Sequence, residues 1–160
     1  MKASRSMLLP IIVVVLVVCT LYAVGVYAFR PDELQKLKTT KQCPNCDLTG
    51  ANLVGMDLGN ANLLAADLNN ANLSTADLAS ANLSYAILAN ANLTGADLNG
   101  ADLTHANLCY TNLTAASLRY ANLTGAILNK DTNFGGANLS GAIWIHGHKC
   151  KEGSIGQCNF

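Results

Sequence analysis

A five-residue period runs through most of this chain and restricts its fold more than any other feature. Leucine returns at every fifth position from Leu48 to Leu128, which makes 17 consecutive repeats. One extra residue, Asp131, then shifts the register by one. Because self-similarity at a fixed period is typical of repeat architectures, we expect a solenoid. After the extra residue the repeat continues with large apolar side chains at Phe134, Leu139 and Trp144.

Neither an α-helix nor a flat β-strand accommodates this period. A helix turns about 100° per residue, so side chains five positions apart wind around it and form no apolar face. A strand alternates its side chains with a period of two, so an odd repeat would turn every second leucine outward. The period fits a chain that turns one corner in each repeat. The leucine and the residue two positions before it then face inward, and the other three residues face outward.

The inward positions follow a narrow size rule. The residue two positions before each leucine is alanine in 16 of the 20 repeats, and the four exceptions are Cys46, Met56, Thr111 and Thr132. So monotonous a choice of alanine beside leucine predicts a narrow interior. Each buried leucine should contribute about 1.5–3 kcal/mol, so the leucine columns are expected to be the main stabilising term.

The A-[DN]-L-x-x repeats of residues 46–145 resemble the pentapeptide repeat family. The resemblance implies an all-β fold, a right-handed quadrilateral parallel β-helix in which four repeats make one coil. The 20 repeats would then form about five coils. With about 4.8 Å between stacked strands, the rod would be about 20–25 Å long. Leucines four repeats apart would form core ladders, one of which contains Leu53, Leu73, Leu93 and Leu113.

Residues 1–29 indicate export. Lys2 and Arg5 precede an uncharged apolar run, residues 7–29. A signal peptide has an apolar core of about 7–15 residues, whereas a membrane-spanning helix needs about 20. Val26-Tyr27-Ala28 nevertheless suits signal cleavage, so a retained transmembrane helix and a cleaved signal peptide both stay open. In either case we expect the solenoid on the periplasmic or other extracytoplasmic side.

Residues 30–45 are expected to form a short capping helix followed by a C-x-x-C motif. Pro31 and the acidic residues after it suit a helix start, and the lysines that follow suit its end. Leu34 and Leu37 lie on one face of such a helix. Because the end of a β-helix exposes apolar side chains and strand edges, we expect these leucines to cover the first coil. Residues 146–160 should cap the other end.

Five cysteines follow the apolar run. In an oxidising compartment, Cys43 with Cys46 and Cys150 with Cys158 would each close a local disulfide at one end of the rod. A four-cysteine zinc site does not fit, because the two pairs would lie about 20 Å apart. A redox centre at the C-x-x-C motif and a metal site at residues 146–150 are less favoured than the disulfides but stay open. Cys109 follows an inward leucine and should be an outward thiol, either incidental or used in an intermolecular disulfide.

The outward positions supply candidate interaction residues. Residues 46–145 carry seven acidic and two basic side chains, a net charge of −5. This charge fits either an acidic binding surface or an ordinary outward Asn/Asp position, and we favour the latter because the whole chain is formally neutral. Tyr85, Tyr110 and Tyr120 are expected on three different faces, so they predict no aromatic patch. The candidate surface residues are Asp57, Asp77 and Asp97 on a face opposite an asparagine column, and Tyr85 stacked with His105.

These features predict a non-enzymatic extracytoplasmic protein that acts as a rigid scaffold or as a rod binding an unknown protein partner. The alternative is a mimic of DNA, like the family members that bind DNA gyrase in the cytoplasm. No catalytic residues, cofactor, metal or small-molecule substrate is expected, because no catalytic pair or cleft is indicated. The chain also lacks the basic stripe of a nucleic-acid-binding protein. Its flat faces and open ends would both permit a homodimer. The outward change Asn92→Ser is expected to alter stability little.

Overall fold

The computed structural model describes residues 30–160. They comprise one helix, α1 (Pro31–Thr40), followed by a solenoid of short turns and single-residue β-bridges. The expected signal or membrane segment, residues 1–29, lies outside the described residues and stays a prediction. Between residues 30 and 160, no helix is long and apolar enough to cross a membrane.

The chain makes one coil of the solenoid with every four repeats. Residues 20 positions apart pair as parallel bridges, from Gln42–Asn62 to Asn107–Ile127. After Asp131 the spacing becomes 21, beginning with Asn112–Asn133. Each side of a coil contributes one bridged residue rather than a long strand, because the chain turns a corner after each repeat. Four repeats per coil agree with the resemblance, and the right-handed winding stays a prediction.

The solenoid begins earlier than the sequence predicts. Gln42 already forms a parallel bridge, ahead of the expected start at residue 46. In this register Cys43 takes an inward leucine position and Cys46 an inward alanine position, and both side chains are buried. The leucine pattern places the boundary too late because cysteine replaces leucine in this additional repeat.

The backbone of each repeat is bonded within itself and to both neighbouring coils. In repeat 91–95, the first N–H donates to the preceding repeat, the second to the previous coil, and the third and fifth to the next coil, at 2.8–3.0 Å. The fourth N–H, that of Thr94, donates to the side-chain oxygen of Asn92 at 3.1 Å. A corner in every repeat is therefore compatible with a satisfied backbone.

Leucine and alanine fill the interior. Every inward leucine from Leu48 to Leu123 is 0% exposed, including Leu53, Leu73, Leu93 and Leu113 of the expected core ladder. Thr111 occupies an alanine position, and its buried hydroxyl donates to the carbonyl of Leu88 at 2.8 Å. The solenoid therefore encloses a packed apolar column.

Helix α1 closes the first coil. Leu37 is fully buried, and Leu34 packs against the core. The Glu33 carboxylate accepts a hydrogen bond from the backbone N–H of Asp47, and Arg30 N donates to the Asp47 carbonyl at 3.3 Å. The helix thus replaces both the apolar cover and some of the backbone partners that a preceding coil would provide.

The last residues fold back over the other end. Ile143 pairs antiparallel with Lys149, and Asn138 pairs antiparallel with Ile155. Phe134 and Trp144 occupy inward positions of the final repeats, with their ring centroids 5.4 Å apart. Both rings are half-buried and pack against the core. They fill the end of the column beneath the returning segment.

Candidate functional site

The outer surface of the solenoid consists of four flat faces that meet at corners. Each face carries a central column of bridged residues, and consecutive repeats of a coil supply consecutive faces. The columns are Asp47, Asp67, Ile87, Asn107 and Ile127 on the first face; Asn52, Asn72, Asn92, Asn112 and Asn133 on the second; Asp57, Asp77, Asp97, Ser117 and Asn138 on the third; and Gln42, Asn62, Asn82, Asp102, Asn122 and Ile143 on the fourth.

The three candidate aspartates form the third face, and this face adjoins the asparagine column. The expectation of an opposite face was wrong, because consecutive repeats lie on adjacent sides of the coil. At the N-terminal end of the column, Lys41 Nζ lies 2.6 Å from Asp57 Oδ1. The hydrogen bond from Lys41 lowers the pKa of Asp57, and the Gly59 N–H and the positive charge of Lys41 lower it further. The first aspartate of this column is therefore paired with the ammonium group of Lys41.

The Asn or Asp of each repeat has a structural role that the sequence reasoning missed. In 16 repeats its side-chain oxygen accepts a hydrogen bond from the backbone N–H two residues later, at 2.8–3.3 Å. Asp57, Asp77 and Asp97 all make this bond. A fixed Asn/Asp just before each corner was the available signal, because these residues favour such local turns. This hydrogen bond is sufficient to explain why aspartates occupy the third-face column, without a role in binding.

The candidate aromatic residues lie at corners, where the backbone is left-handed. Tyr85 has φ +60° and His105 has φ +57°. Their rings stack, with centroids 5.0 Å apart and an interplanar angle of 21°. The next corner is Gly125, where a Cβ atom would lie 2.5 Å from His105 Nδ1. The His105 ring therefore covers the corner of Gly125, and a larger residue at position 125 would collide with it.

Two of the tyrosines border the same face, contrary to the expectation of three separate faces. Tyr85 directly precedes the segment of Ile87, and Tyr110 follows Asn107 at the opposite corner of the first face. The exposed fractions are 58% for Tyr85, 57% for Tyr110, 40% for Ile87 and 55% for Ile127. We define the isoleucine patch as this exposed surface of the first face, formed by Tyr85, Ile87, His105, Asn107, Cys109, Tyr110 and Ile127.

The structure contains the two disulfides that the sequence favoured. One joins Cys43 to Cys46 inside the first coil, and the other joins Cys150 to Cys158 in the C-terminal cap. Cys109 is a free, half-exposed thiol. His146 and His148 are exposed, and among residues 30–160 no group of His, Cys, Asp and Glu is arranged to hold a metal ion.

Residues 43–130 match the model for pentapeptide repeats, with eight copies. This chain belongs to the pentapeptide repeat family. Among solved structures, this pentapeptide repeat protein is similar to one from the thylakoid lumen of Arabidopsis thaliana. The two are 38% identical with a TM-score of 0.58, and the match covers 59% of this chain and 65% of that one. The chain therefore spans slightly less than two thirds of that structure.

A second similar structure is the pentapeptide repeat protein Rfr23 from the cyanobacterium Cyanothece 51142. It is 32% identical with a TM-score of 0.47, and the match covers 71% of this chain and 97% of that one. QnrB1, a plasmid-mediated fluoroquinolone resistance protein, is 24% identical with a TM-score of 0.29 over 63% of this chain and 62% of that one. This distant likeness carries no functional information. No curated protein matches the chain.

Proposed function

We propose that this pentapeptide repeat protein is a non-enzymatic rod of an extracytoplasmic compartment, which presents its flat faces to a protein partner. The observation that carries the proposal is the disulfide at each end of the solenoid. Disulfides form and persist in oxidising compartments and are rare in the cytosol. The similarity to a thylakoid-lumen protein supports the same location, and so does the apolar run of residues 7–29.

The packed interior of the solenoid favours a binding function over a catalytic one. Leucine and alanine side chains with almost no exposed surface fill the column, whereas enzymes hold their substrates in concave pockets. The charged side chains of the solenoid and its three tyrosines, Tyr85, Tyr110 and Tyr120, instead lie on the outer faces and corners. Such a rigid, flat surface suits a scaffold or a docking rod.

The state of the cysteines in the cell tests this proposal. Cells that express the full chain are treated with a maleimide before lysis, and the intact mass is measured before and after reduction. We expect Cys43, Cys46, Cys150 and Cys158 to be labelled only after reduction, whereas Cys109 is labelled without it. Carbonate extraction of the envelope fraction, with the mass of the recovered chain, separates a retained anchor from a cleaved signal.

A variant with Cys150→Ser and Cys158→Ser is the matched control. It should lose two of the four protected cysteines and leave the labelling of Cys43 and Cys46 unchanged. Labelling of all four cysteines before reduction, in a chain recovered from the cytoplasm, would contradict the extracytoplasmic proposal.

The DNA-mimic alternative is supported by the aspartate column of the third face, in which Asp57 and Asp77 are exposed. It would place the protein in the cytoplasm, where lasting disulfides are rare. A gyrase supercoiling assay with the purified chain separates the two proposals. Inhibition that disappears when Asp57, Asp77 and Asp97 are all changed to Asn, which retains the side-chain oxygen of each turn, would favour the mimic.

A further inference from the structure

The C-terminal cap supplies the backbone partners that a further coil would supply on two sides of the rod. In the last coil, the N–H of Leu139 donates to the carbonyl of Ser154 at 2.8 Å, and that of Gly141 donates to the carbonyl of Cys150 at 3.2 Å. The N–H of Cys150 donates in return to the carbonyl of Ala142 at 2.8 Å. In earlier coils the corresponding donors bond to the next coil. The cap therefore covers a strand edge that would otherwise be open.

The disulfide ties the end of the chain to the part of the cap that is bonded to the rod. Cys150 lies in the bridged stretch and is 1% exposed, and Cys158 follows eight residues later. The three ion pairs found among residues 30–160 all lie at the opposite end of the rod. Without the disulfide, the cap would be held by its hydrogen bonds and by the packing of single side chains.

The two disulfides differ in how far a reductant can reach them. Cys43 is 0% exposed and Cys46 is 3% exposed, and Cys43 Sγ lies 3.3 Å from the carbonyl oxygen of Glu33 in helix α1. Cys158, in contrast, is half-exposed. Thiol–disulfide exchange requires that a thiolate reach one of the two sulfur atoms. In the folded chain, the disulfide of the cap is therefore the accessible one.

We propose that the C-terminal cap is a redox-sensitive closure of the rod, which a dithiol reductant opens by reducing the Cys150–Cys158 disulfide. The buried Cys43–Cys46 disulfide stays intact and keeps the first coil closed. Reduction increases the conformational entropy that the segment gains when it detaches, and so shifts the cap toward the detached state. The N–H groups of Leu139 and Gly141 then lose their partners. An open edge of this kind can pair with another strand.

The exchange proceeds in two steps. One thiolate of the dithiol attacks Cys158 Sγ and forms a mixed disulfide, while the protein S–S bond breaks and Cys150 leaves as a thiolate. The second thiol of the reductant then attacks its own sulfur in the mixed disulfide, and Cys158 leaves as a thiolate. The dithiol is oxidised to a disulfide. Its two electrons and two protons pass to Cys150 and Cys158.

The order of reduction is the first test. The full chain is purified in detergent in its oxidised form, and its free thiols are blocked with N-ethylmaleimide. Dithiothreitol is added, samples are quenched with acid at successive times, and the new thiols are alkylated and located by peptide mass spectrometry. We expect Cys150 and Cys158 to be alkylated at least about tenfold faster than Cys43 and Cys46. Equal rates for the two pairs would overturn the proposal.

Hydrogen exchange tests whether reduction opens the cap. At the time when only the second disulfide is reduced, the amides of residues 138–155 should exchange at least about tenfold faster than in the oxidised chain. The amides of residues 42–61 should exchange as before. Replacing dithiothreitol with oxidised glutathione should restore slow exchange. Unchanged exchange at residues 138–155, faster exchange throughout the rod, or no recovery would each overturn the closure.

Two variants are the matched controls. A chain with Cys150→Ser and Cys158→Ser should exchange rapidly at residues 138–155 and should not respond to dithiothreitol. A chain with Cys43→Leu and Cys46→Ala should respond as the unmodified chain does. A response in the first variant, or none in the second, would show that the cap disulfide is not the group that the reductant acts on. Because the purified chain is used, these outcomes are independent of the compartment proposed above.

Discussion

At the scale of single residues, the Asn or Asp of each repeat belongs to the fold as much as the leucine does. Four of the five N–H groups in a repeat find backbone carbonyls, and the fifth depends on the side-chain oxygen. At Ser117, which has a shorter side chain, the N–H of Arg119 bonds instead to Asn99 of the previous coil, at 3.0 Å. Serine is therefore not an equivalent substitute.

This role revises the expected effect of Asn92→Ser. Asn92 Oδ1 accepts from the N–H of Thr94 at 3.1 Å and from its hydroxyl at 2.7 Å, and its amide donates to Asn72 at 3.2 Å. We expect Asn92→Ser to lower the free energy of unfolding by about 1 kcal/mol, measured by urea denaturation with circular dichroism. Asn52→Ser, in the same column, removes one longer bond of 3.3 Å and should cost less. Equal effects would show that the hydroxyl and amide bonds of Asn92 add nothing to the turn bond that both residues make.

Asp57 gives stability a dependence on acid pH. Because Lys41 and the Gly59 N–H lower its pKa in the folded chain below the ordinary 3.8, its contribution is present above that value and is lost as pH falls through the folded pKa. Lys41→Met should raise the pKa of Asp57, as measured by NMR titration of its carboxyl carbon. Lys130→Met, also exposed, is the control. An unchanged titration in Lys41→Met would show that the ion pair does not form in solution.

The sequence correctly predicts the features that follow directly from the five-residue period. An inward leucine every five residues specifies the buried columns, and Leu37 is apolar at the position where a cap is needed. The corners are harder to predict, because residues at a corner border two faces at once. The period therefore assigns Tyr85 and Tyr110 to different faces, although the structure places them at the two edges of the first. The turn at each Asn or Asp was missed because it follows from the backbone of the corner rather than from the period.

At the scale of elements, helix α1 acts as a substitute for a missing coil. Leu37 is buried against the first coil, and Glu33 bonds to the N–H of Asp47. In a solenoid each coil contacts only its neighbours, so damage to the cap should spread inward from that end. The far coils should keep their packing, because their leucine columns are unchanged.

Leu37→Asp tests this local dependence. A buried, unpaired carboxylate is strongly disfavoured, so we expect α1 to detach and the amides of residues 42–61 to exchange hydrogen faster. The amides of residues 101–120 should exchange as in the unmodified chain, measured by mass spectrometry of peptic fragments. Lys38→Asp changes an exposed position of the same helix and should have little effect. Faster exchange throughout the rod would instead show that the solenoid unfolds as one unit.

At the scale of the whole molecule, the two disulfides close the ends in different ways. Cys43 and Cys46 lie at inward leucine and alanine positions and are buried in the first coil. Their bond therefore takes the place of core packing. Cys150 is also buried and Cys158 packs against the core, but these two join points of the returning C-terminal segment, whose antiparallel bridges to Asn138 and Ile143 are few. The disulfide between Cys150 and Cys158 should therefore contribute more to the stability of the C-terminal cap than the first disulfide contributes to the first coil.

This difference predicts that the first disulfide is replaceable and the second is not. Changing Cys43 to Leu and Cys46 to Ala installs the usual residues of the repeat, so the midpoint of thermal unfolding should stay close to that of the unmodified chain. Changing Cys150 and Cys158 to Ser should destabilise the C-terminal cap by about 2–4 kcal/mol, because the freed segment gains conformational entropy when it detaches. Hydrogen exchange at residues 138–155 reports on the cap. If the Leu/Ala variant loses its first coil, Cys43 and Cys46 are not acting as members of the leucine and alanine columns.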